Sequence, residues 1–488
     1  MRLLLTLGHN ASAILEGNNT VIVGYEEERL SGVKADSSFP VLSINKILEY
    51  YPEARYEVTD IFISHWFWSF KELKETKYYK PKYIKANFPE AKVTSVDYYN
   101  THHDLHAKSV WNFLNGDSSG LTIVADGFGN FGECLSLYVD GKLSHRSYAI
   151  HSSLGLMYQY AIGYLGMKEN QDEYKLLGYE QQVSKEYKAN YALKIEELIE
   201  VMTTNLLEKS EMQKGDMTYI LNDVRSDWYI LFNQFSPDRS RPEIAYVVQT
   251  ILEGVMLNIV KHYDIKNIKV SGGVFYNVKL NNALLRFSDK FEANPLAGDQ
   301  GCALGFTNVR YQDLFWGRRE INSYSSDKLI SDIKTNGYAE VMQGWMEFGP
   351  RALCNTTTLA RPTLEMVELI NTINGRDTVM PMAPVVTKKY AEKHFRDIDK
   401  VTRSKYYMVI AFDYISVDET TRGAAHYDSD RDVYTGRIQI SNMPFIDDIL
   451  KKFGGILINT SLNAHGQPIL YDSNNYNIMR RIQSNFKR

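Results

Sequence analysis

The sequence predicts an α/β fold whose first part is internally duplicated, and two repeated segments support this prediction. Residues 2–29, RLLLTLGHNASAILEGNNTVIVGYEEER, have the order strand, polar turn, strand, Gly-Asn turn and strand. Residues 120–150, GLTIVADGFGNFGECLSLYVDGKLSHRSYAI, repeat that order with two Asp-Gly turns. Because helical sequence follows each segment, we expect two α/β halves whose hairpin turns face a common cleft. Two unrelated β-meanders are the alternative that the pattern alone leaves open.

The composition is typical of a globular protein with more than one domain. A chain of 488 residues exceeds what one hydrophobic core usually supports. An apolar fraction of 44% and a charged fraction of 23% argue against disorder, and a net charge of −4 neither demands nor excludes an anionic partner. Three widely spaced cysteines suit a reducing compartment, and no apolar run approaches the length of a membrane span. We therefore expect a cytoplasmic protein without a membrane segment.

The later part of the chain changes character twice. Residues 181–263 have apolar positions at helical spacing, after which strand and turn sequence returns at 267–285. A polar segment at 317–335 then precedes a block of mixed strand and helix that is large enough to fold by itself. We therefore predict a first domain at residues 1–318 and a second at residues 319–488.

A pair of histidines indicates a candidate metal site. His102 and His106 are one helical turn apart in YYNTHHDLHAKSVW, so their imidazoles would lie about 5–6 Å apart on one helix face. Asp126 ends the apolar strand LTIVADG, and Asp299 lies in the turn AGDQG. Imidazole and carboxylate ligands together suit iron, manganese or zinc. The alternative is that both histidines are solvated on a surface helix, since an HxxxH pair alone is a weak signal.

Glycine turns and short polar side chains form a second group of candidates. Glycine that follows an apolar run lets a backbone N–H approach phosphate or carbonyl oxygens, as at Gly8, Gly127, Gly272, Gly273 and Gly298. None of these turns matches a phosphate-loop or dinucleotide pattern. Near the C-terminus, Arg351 and Arg376 offer guanidinium groups, accompanied by the neutral partners Asn459, Thr460, Ser461 and Asn463. An arginine after Gly-Pro could equally hold a loop.

Taken together and in order, nine motifs resemble the O-carbamoyltransferase family of nodulation and antibiotic biosynthesis. They extend from Gly8 to Pro468: LGHNASA, YEEERLSGVKADSSFP, HHDLHA, ADGFGN, SGGVFYN, AGDQGCALG, MEFGPRAL, MPMAPVV and INTSLNAHGQPIL. The resemblance implies a duplicated actin-like first domain, similar to the catalytic subunit of the tRNA threonylcarbamoyl transferase. It implies a smaller, YrdC-like α/β second domain that forms the adenylate.

The resemblance also implies a chemistry and a set of site residues. In that family carbamoyl phosphate and ATP, the latter with Mg, give carbamoyl adenylate, and the carbamoyl group passes to an acceptor hydroxyl at a divalent metal. Iron is the metal expected first, with manganese and zinc as alternatives, and a homodimer is a further expectation. By matching position, the metal ligands would be His102, His106, Asp126 and Asp299. The catalytic residues would be His102, Asp126, Asn10 and Lys34. The residues that bind ATP and its products would be Gly127, Gly272, Gly273, Asn277, Arg351, Arg376, Asn459, Ser461 and Asn463.

The chain departs from the family pattern at three points. After MEFGPRAL, the usual glycine and the following arginine are replaced by Cys354 and Thr356, so one phosphate contact is lost or moved. Lys175, in EYKLLG, is followed by YEQQ in place of the usual loop, which leaves its role open. The chain is also shorter than many relatives, which leaves the identity of the acceptor open.

Residues 66–92 suggest one acceptor. This segment has seven lysines, three glutamates and eight aromatic residues, a composition suited to contacting phosphates and stacking bases. We therefore expect a 5-hydroxymethyl pyrimidine in DNA, or its nucleotide, with an antibiotic or oligosaccharide hydroxyl as the alternative. A solvated helix whose aromatic residues face the core would have the same composition. Two other functions stay open, a tRNA threonylcarbamoyl transferase and an actin-like kinase or ATPase.

Overall fold

The computed structural model describes residues 1–67, 70–97, 100–321, 324–376 and 382–486. Residues 377–381, which include the start of the motif MPMAPVV, lie outside this range. So do residues 68 and 69 of segment 66–92, residues 98 and 99 before HHDLHA, and residues 322 and 323 of the polar segment 317–335. The chain packs into two compact units. Unit 1 comprises Met1–Ile63, Lys80–Thr94 and Val309–Arg488, and unit 2 comprises Ser64–Tyr79 and Ser95–Asn308. The domain boundary at residue 318 stays a prediction.

The strands follow one another along the chain as β1 Arg2–Thr6, β2 Ser12–Gly17, β3 Thr20–Glu26, β4 Asp60–Ser64, β5 Lys92–Ser95, β6 Leu121–Ala125, β7 Leu135–Val139, β8 Lys142–Ser147, β9 Asn267–Ser271, β10 Lys290–Ala293, β11 Phe315–Gly317, β12 Tyr338–Met342, β13 Met346–Glu347, β14 Thr356–Ala360, β15 Ala383–Val386, β16 Phe412–Asp413, β17 His426–Asp428, β18 Val433–Gly436, β19 Gln439–Ile440 and β20 Ile456–Ser461.

The α-helices are α1 Glu27–Ser31, α2 Val41–Tyr50, α3 Ala54–Glu57, α4 Phe70–Lys74, α5 Pro81–Asn87, α6 His102–Phe113, α7 Leu154–Tyr164, α8 Leu176–Tyr179, α9 Lys185–Leu207, α10 Met217–Phe235, α11 Arg241–Tyr263, α12 Val278–Phe287, α13 Ser326–Asn336, α14 Leu364–Asn374, α15 Lys388–His394, α16 Pro444–Lys451 and α17 Ser473–Phe486. Short 3-10 segments connect several of them, and one of these, Asp299–Phe306, contributes to the site described below.

Two five-stranded sheets repeat one topology. The first has the order β3-β2-β1-β4-β5, and β2 is antiparallel to both of its neighbours. The second has the order β8-β7-β6-β9-β10, in which β7 is antiparallel to both neighbours and β9 is parallel to β6 and β10. Numbered from its own first strand, each sheet has the order 3-2-1-4-5. This repetition confirms the predicted duplicated, actin-like α/β fold and excludes two unrelated meanders.

A third five-stranded sheet lies in unit 1 and has the order β12-β14-β20-β15-β19. All its pairs are antiparallel except β15 with β19. Apolar side chains of α13 and α16 pack on it and form one buried cluster: Leu329, Ile333, Val341, Leu359, Val385, Ile446, Ile449 and Leu457. The sequence pattern predicted this mixed α/β block after residue 318.

Unit 1 joins two motifs that are far apart in the sequence. Arg29, from YEEER, is 1% exposed and donates hydrogen bonds to the carbonyl of Gly349 and to the carboxylate of Glu26. The amide of Gly349, from MEFGPRAL, donates to the same Glu26 carboxylate at 2.9 Å. A buried arginine without such partners would be strongly destabilising. The N-terminal segment therefore fixes the start of the loop that carries Arg351.

The core of unit 2 is formed by the long helix α11. By length and composition, this helix is the one in the described chain that could cross a membrane, and most of its apolar window is buried inside the protein. Eleven of its residues are buried, including Val247, Val248 and Ile251. A core helix of a globular protein has the same composition.

Candidate active site

The start of α6 is fixed by a capping box. The hydroxyl of Thr101 accepts a hydrogen bond from the amide of Asp104, whose carboxylate accepts one from the amide of Thr101 at 3.0 Å. Capping satisfies amides that would otherwise lack partners at the first helical turn. The side chain of Asn130 then accepts a hydrogen bond from the amide of His102 at 2.8 Å. The first turn of α6, which carries His102, is therefore held from both sides.

Four side chains from three segments of unit 2 meet at one point. The two imidazole Nε2 atoms, of His102 and His106, are 3.1 Å apart. Nε2 of His102 is 3.2 Å from an oxygen of Asp299, and Nε2 of His106 is 3.2 Å from an oxygen of Asp126. The remaining nitrogen to oxygen distances are 3.5 and 4.0 Å. We call these four residues the His–Asp set.

The spacing of the His–Asp set fits one metal ion. Bonds of about 2.0–2.2 Å to nitrogen and oxygen place neighbouring ligand atoms about 3–3.5 Å apart. The observed separations of 3.1–4.0 Å cover that range. The histidines and Asp299 are at most 6% exposed, whereas the side chain of Asp126 is 18% exposed. A ligand could therefore approach beside Asp126, and the prediction of a surface helix with solvated histidines is excluded.

The charges at this point favour a cation. Burial lowers the pKa of His106, but its contacts with the carboxylates of Asp126 and Asp299 act in the opposite direction and raise it above its usual value. Burial acts in the same direction on His102, and the carboxylate of Asp299 likewise raises its pKa. Two imidazoles that face two carboxylates therefore favour a bound positive charge. That charge is either carried by protons on the imidazoles or supplied by a metal ion. Imidazole nitrogen and carboxylate oxygen together suit iron, manganese or zinc.

The buried carboxylate of Glu133 supports the start of α6, the helix that carries His102. Glu133 is 0% exposed and accepts hydrogen bonds from the hydroxyl of Thr101 at 2.9 Å and the amide of His103 at 3.0 Å. The guanidinium of Arg146 pairs with it at 3.2 Å and with Asp104 at 2.5 Å. Burial raises the pKa of Glu133, whereas Arg146 and the amide of His103 lower it. These donors are the partners that an ionised carboxylate requires.

The glycine turn after β9 lies against Asp126. The amide of Gly273 donates to a carboxylate oxygen of Asp126 at 3.3 Å, and the amide of Gly127 donates to the other oxygen at 2.8 Å. Gly272 has a φ of 99°, and a Cβ at this position would lie 2.2 Å from the carbonyl oxygen of Ala125. Three of the predicted glycines are thus brought together, and two of their amides orient Asp126, a candidate metal ligand.

Asn277, predicted as a nucleotide contact, lies at the N-terminus of α12. Its side-chain oxygen accepts a hydrogen bond from the amide of Leu280 at 3.0 Å, and its nitrogen donates to Gln249 at 2.8 Å. It therefore caps the helix. Its predicted role toward a nucleotide stays a prediction.

In unit 1, four of the predicted C-terminal residues converge. The guanidinium of Arg376 donates to the hydroxyl of Thr460 at 2.6 Å and to the side-chain oxygen of Asn463 at 2.7 Å. It also donates to the hydroxyl and the carbonyl of Ser461, each at 3.2 Å. All four residues are half-buried. The arrangement gathers one cation and several short polar groups at the end of β20.

Asn459, which comes directly before Thr460 in the chain, has hydrogen-bond partners other than Arg376. It is 2% exposed, and its side-chain nitrogen donates to the carbonyl of Ala352 at 2.9 Å and to Gln439 at 2.6 Å. Its oxygen accepts a hydrogen bond from the hydroxyl of Thr357. The side chain therefore ties β20 to β14, to β19 and to the loop before β14.

An arginine pair, which the sequence did not indicate, consists of Arg351 and Arg437. Burial and the nearby Arg351 guanidinium lower the pKa of Arg437 well below its usual value. Two guanidinium groups held near each other repel, and an anion close to both removes that repulsion. Arg437 lies between β18 and β19, 86 positions after Arg351, in TGRIQIS, which matches no local motif.

The loop that departs from the family pattern surrounds a buried carboxylate. One oxygen of Glu347 accepts hydrogen bonds from the amides of Leu353, Asn355 and Thr356 at 2.8, 2.8 and 3.0 Å. The hydroxyl of Thr356 donates to the other oxygen at 2.9 Å. Cys354, at the usual glycine position, has a φ of 78°, a region that glycine adopts more readily. The threonine thus contacts the protein itself, and position 356 offers no cation.

Three other predicted residues are not members of the groups described above. Asn10, at a turn with a φ of 65°, and Lys34 are half-buried residues of unit 1, whereas the His–Asp set belongs to unit 2. Lys175, in unit 2, pairs with Asp172 at 3.0 Å. Their catalytic or binding roles stay predictions.

In the lysine-rich segment 66–92, the lysines and the aromatic residues differ in their exposure to solvent. All seven of its lysines are exposed. Among its described aromatic residues, Phe67, Tyr79 and Phe88 are buried, and the others are half-buried. The segment therefore presents charge to solvent, while the rings needed for base stacking mostly pack inside the protein.

Known proteins match both parts of the chain. Residues 90–307 match the family model described as Carbamoyltransferase N-terminus, and residues 331–484 match the one described as Carbamoyltransferase C-terminus. The nodulation protein NolNO of Sinorhizobium fredii is 25% identical over 95% of this chain and 75% of its own length. The 3'-hydroxymethylcephem-O-carbamoyltransferase of Amycolatopsis lactamdurans is 29% identical over 41% of this chain and 42% of its own length.

Similarity to solved structures is lower. Component A of the (R)-2-hydroxyglutaryl-CoA dehydratase of Acidaminococcus fermentans is 12% identical, covers 64% of this chain and 97% of its own length, and has a TM-score of 0.34. A score this low supports no argument about function.

The two matched models cover the His–Asp set and the three arginines Arg351, Arg376 and Arg437. They define the class of the protein as a transferase. The chain belongs to the carbamoyltransferase family. This confirms the resemblance that nine sequence motifs indicated.

Proposed function

We propose that the protein is an ATP-dependent O-carbamoyltransferase that works through carbamoyl adenylate. The observation that carries this proposal is the His–Asp set, buried at metal-binding distances in a chain of the carbamoyltransferase family. In the proposal, residues 1–318 transfer the carbamoyl group and residues 319–488 form the adenylate. The enzyme is proposed to act in the cytoplasm, and a homodimer is a further prediction.

The first half-reaction activates a poor donor. Carbamoyl phosphate loses phosphate to water, and an oxygen of the resulting carbamate attacks the α-phosphorus of Mg-bound ATP with release of pyrophosphate. The product is a mixed anhydride whose leaving group is AMP. Arg351, Arg376 and Arg437 are proposed to hold the phosphates, because guanidinium groups bind phosphate oxygens with charge-assisted hydrogen bonds. Ser461 and Asn463 are proposed as neutral partners, and Asn459 is proposed to support them.

The second half-reaction transfers the carbamoyl group. The acceptor hydroxyl oxygen attacks the carbamoyl carbon, the bond from that carbon to the oxygen of AMP breaks, and the hydroxyl proton passes to solvent water. A divalent ion held by the His–Asp set, iron before manganese or zinc, would polarise the carbamoyl carbonyl or lower the pKa of the hydroxyl. The amides of Gly127 and Gly273 orient Asp126. We propose Asn10 and Lys34 as further catalytic residues, and Gly272 and Asn277 as contacts of the adenylate.

One experiment separates this function from its rivals. The protein is incubated with ATP and labelled carbamoyl phosphate, and AMP and pyrophosphate are measured. The proposal expects both products to depend on carbamoyl phosphate. A threonylcarbamoyl transferase would instead require threonylcarbamoyl adenylate and tRNA, and a kinase or ATPase would release ADP without carbamoyl phosphate. Either pattern would contradict the proposal.

The replacement Arg351→Ala is expected to suppress adenylate formation by about ten- to a hundredfold, because a hydrogen bond to a charged group contributes about 1.5–3 kcal/mol. Pyrophosphate release measures this step. Synthetic carbamoyl adenylate should restore transfer to the acceptor in the variant. Arg361→Ala serves as the control, because Arg361 is exposed and its guanidinium donates a hydrogen bond to the Lys334 carbonyl. Unchanged ATP consumption would show that Arg351 only holds the loop.

The acceptor is proposed to be an alcohol. The name of the cephem relative specifies a hydroxymethyl acceptor, which supports a primary hydroxyl as the substrate of this chain. The exposed lysines of residues 66–92 support a hydroxymethyl pyrimidine of DNA or its nucleotide, with an antibiotic or oligosaccharide hydroxyl as the alternative. Mass spectrometry after incubation with each acceptor decides between them. DNA that gains no carbamoyl group, or binding that survives charge reversal at Lys77, Lys80 and Lys82, would eliminate the DNA acceptor.

A further inference from the structure

Cys302 lies directly behind one of the candidate metal ligands. Its Sγ is 3.7 Å from Nδ1 of His102 and 3.5 Å from the carbonyl oxygen of the same residue. Both residues are at most 1% exposed. The sulfur therefore faces Nδ1 of the imidazole ring. The other ring nitrogen, Nε2, points at Asp299.

The two contacts of the sulfur determine which way the hydrogen bonds run. A carbonyl oxygen can only accept, so the thiol hydrogen is donated to the carbonyl of His102. The sulfur lone pairs then face Nδ1 and accept its hydrogen. An imidazole protonated at Nδ1 has its lone pair at Nε2, which is the form that a metal ion requires.

The second histidine of the set differs. Within the described residues, Nδ1 of His106 has no hydrogen-bond partner. His102 is therefore the imidazole whose orientation and tautomer are fixed by a partner at Nδ1, the sulfur of Cys302. Cys302 also lies three positions after Asp299, in the same 3-10 segment, so one short element carries both a ligand and the partner of another ligand.

We propose that Cys302 is a positioning residue, which holds His102 in the Nδ1-protonated form with Nε2 directed at the metal ion. This inference rests on the proposed metal site and adds a residue to it. Loss of such an outer partner typically lowers metal affinity about ten- to a hundredfold. The proposal therefore concerns how strongly the ion is held, which can be measured without catalysis.

The test measures Co²⁺ affinity of the full-length protein by chelator competition, together with the visible absorption spectrum of the bound ion. Cys302→Ala is expected to weaken binding at least about tenfold. The matched control is Cys134→Ala, another buried thiol of unit 2, whose Sγ contacts the carbonyl of Ser147 at 3.6 Å. The control is expected to bind as the wild type does. Cys302→Ser, which keeps a donor and an acceptor, should retain more affinity than the alanine variant.

Each other outcome has a defined meaning. Equal affinities for Cys302→Ala, Cys134→Ala and the wild type would overturn the positioning role. A sulfur-to-cobalt charge-transfer band that disappears in Cys302→Ala would also overturn it, because the thiolate would then be a ligand itself. If the alanine variant does not fold, Cys302→Val keeps the volume and removes only the polar sulfur. Binding that is indifferent to His102→Ala would instead contradict the metal site of the proposed function.

Discussion

Replacement of Asp299 by Asn, or of His102 by Ala, is expected to lower carbamoyl transfer to the acceptor by about a thousandfold or more. Either change removes one of four ligands of the proposed ion, and charge stabilisation by a metal contributes several kcal/mol to a transition state. Formation of AMP and pyrophosphate from ATP and carbamoyl phosphate should persist. Transfer is measured with synthetic carbamoyl adenylate and the acceptor, and adenylate formation is measured without the acceptor.

The control for this prediction is His151→Ala. His151 also belongs to unit 2, but its side chain is 50% exposed and pairs with Asp227 at the surface. Its removal should leave both half-reactions unchanged. Equal loss of both half-reactions in Asp299→Asn and His102→Ala would show that the division of the chemistry between two sites is wrong.

The second large effect is expected at Glu133. Its replacement by Ala removes the carboxylate that accepts hydrogen bonds from Thr101 and His103, and it deprives Arg146 of one of its two carboxylate partners. Breaking a buried ion pair from one side typically destabilises a protein by about 3–5 kcal/mol, and the remaining partner Asp104 favours the lower end of that range. The free energy of unfolding is measured by denaturant titration.

The matched change is Glu196→Ala, at an exposed position of α9, which should alter the free energy of unfolding by less than about 0.5 kcal/mol. Glu133→Ala should also weaken Co²⁺ binding, because the first turn of α6 carries His102. A Glu133 variant that is as stable as the Glu196 variant would mean that the buried network does not support the helix.

The duplicated sheets and the two histidines of the His–Asp set could be predicted from the sequence, because each rests on local spacing. Turn residues at matching offsets gave the two hairpins, and a separation of four positions put His102 and His106 on one face of α6. The two aspartates were found because both follow apolar runs in glycine turns. Their meeting point required the topology of unit 2, which the spacing alone does not specify.

Polar residues with two equally good uses were harder to assign. The predicted contact of Asn277 and Asn459 with the nucleotide stays a prediction. In the folded chain their amide groups cap a helix and join strands, because short amides satisfy nearby backbone as readily as a ligand. Arg437 was missed because its neighbour Arg351 is distant in sequence and no motif surrounds it. Whether two charged residues from remote segments lie close together depends on the fold, so a local motif does not show it.

The discontinuity of unit 1 has a consequence for biosynthesis. Glu26 and Arg29 leave the ribosome early, but their partner Gly349 is made only after the whole of unit 2, which ends at Asn308. At about 5–20 residues per second, translation of the intervening chain takes roughly 15–65 s, during which the N-terminal segment lacks its final contacts. Unit 2 can complete its own fold during that interval. Slowing elongation after residue 308 should therefore lengthen the exposure of the N-terminal strands to chaperones and proteases.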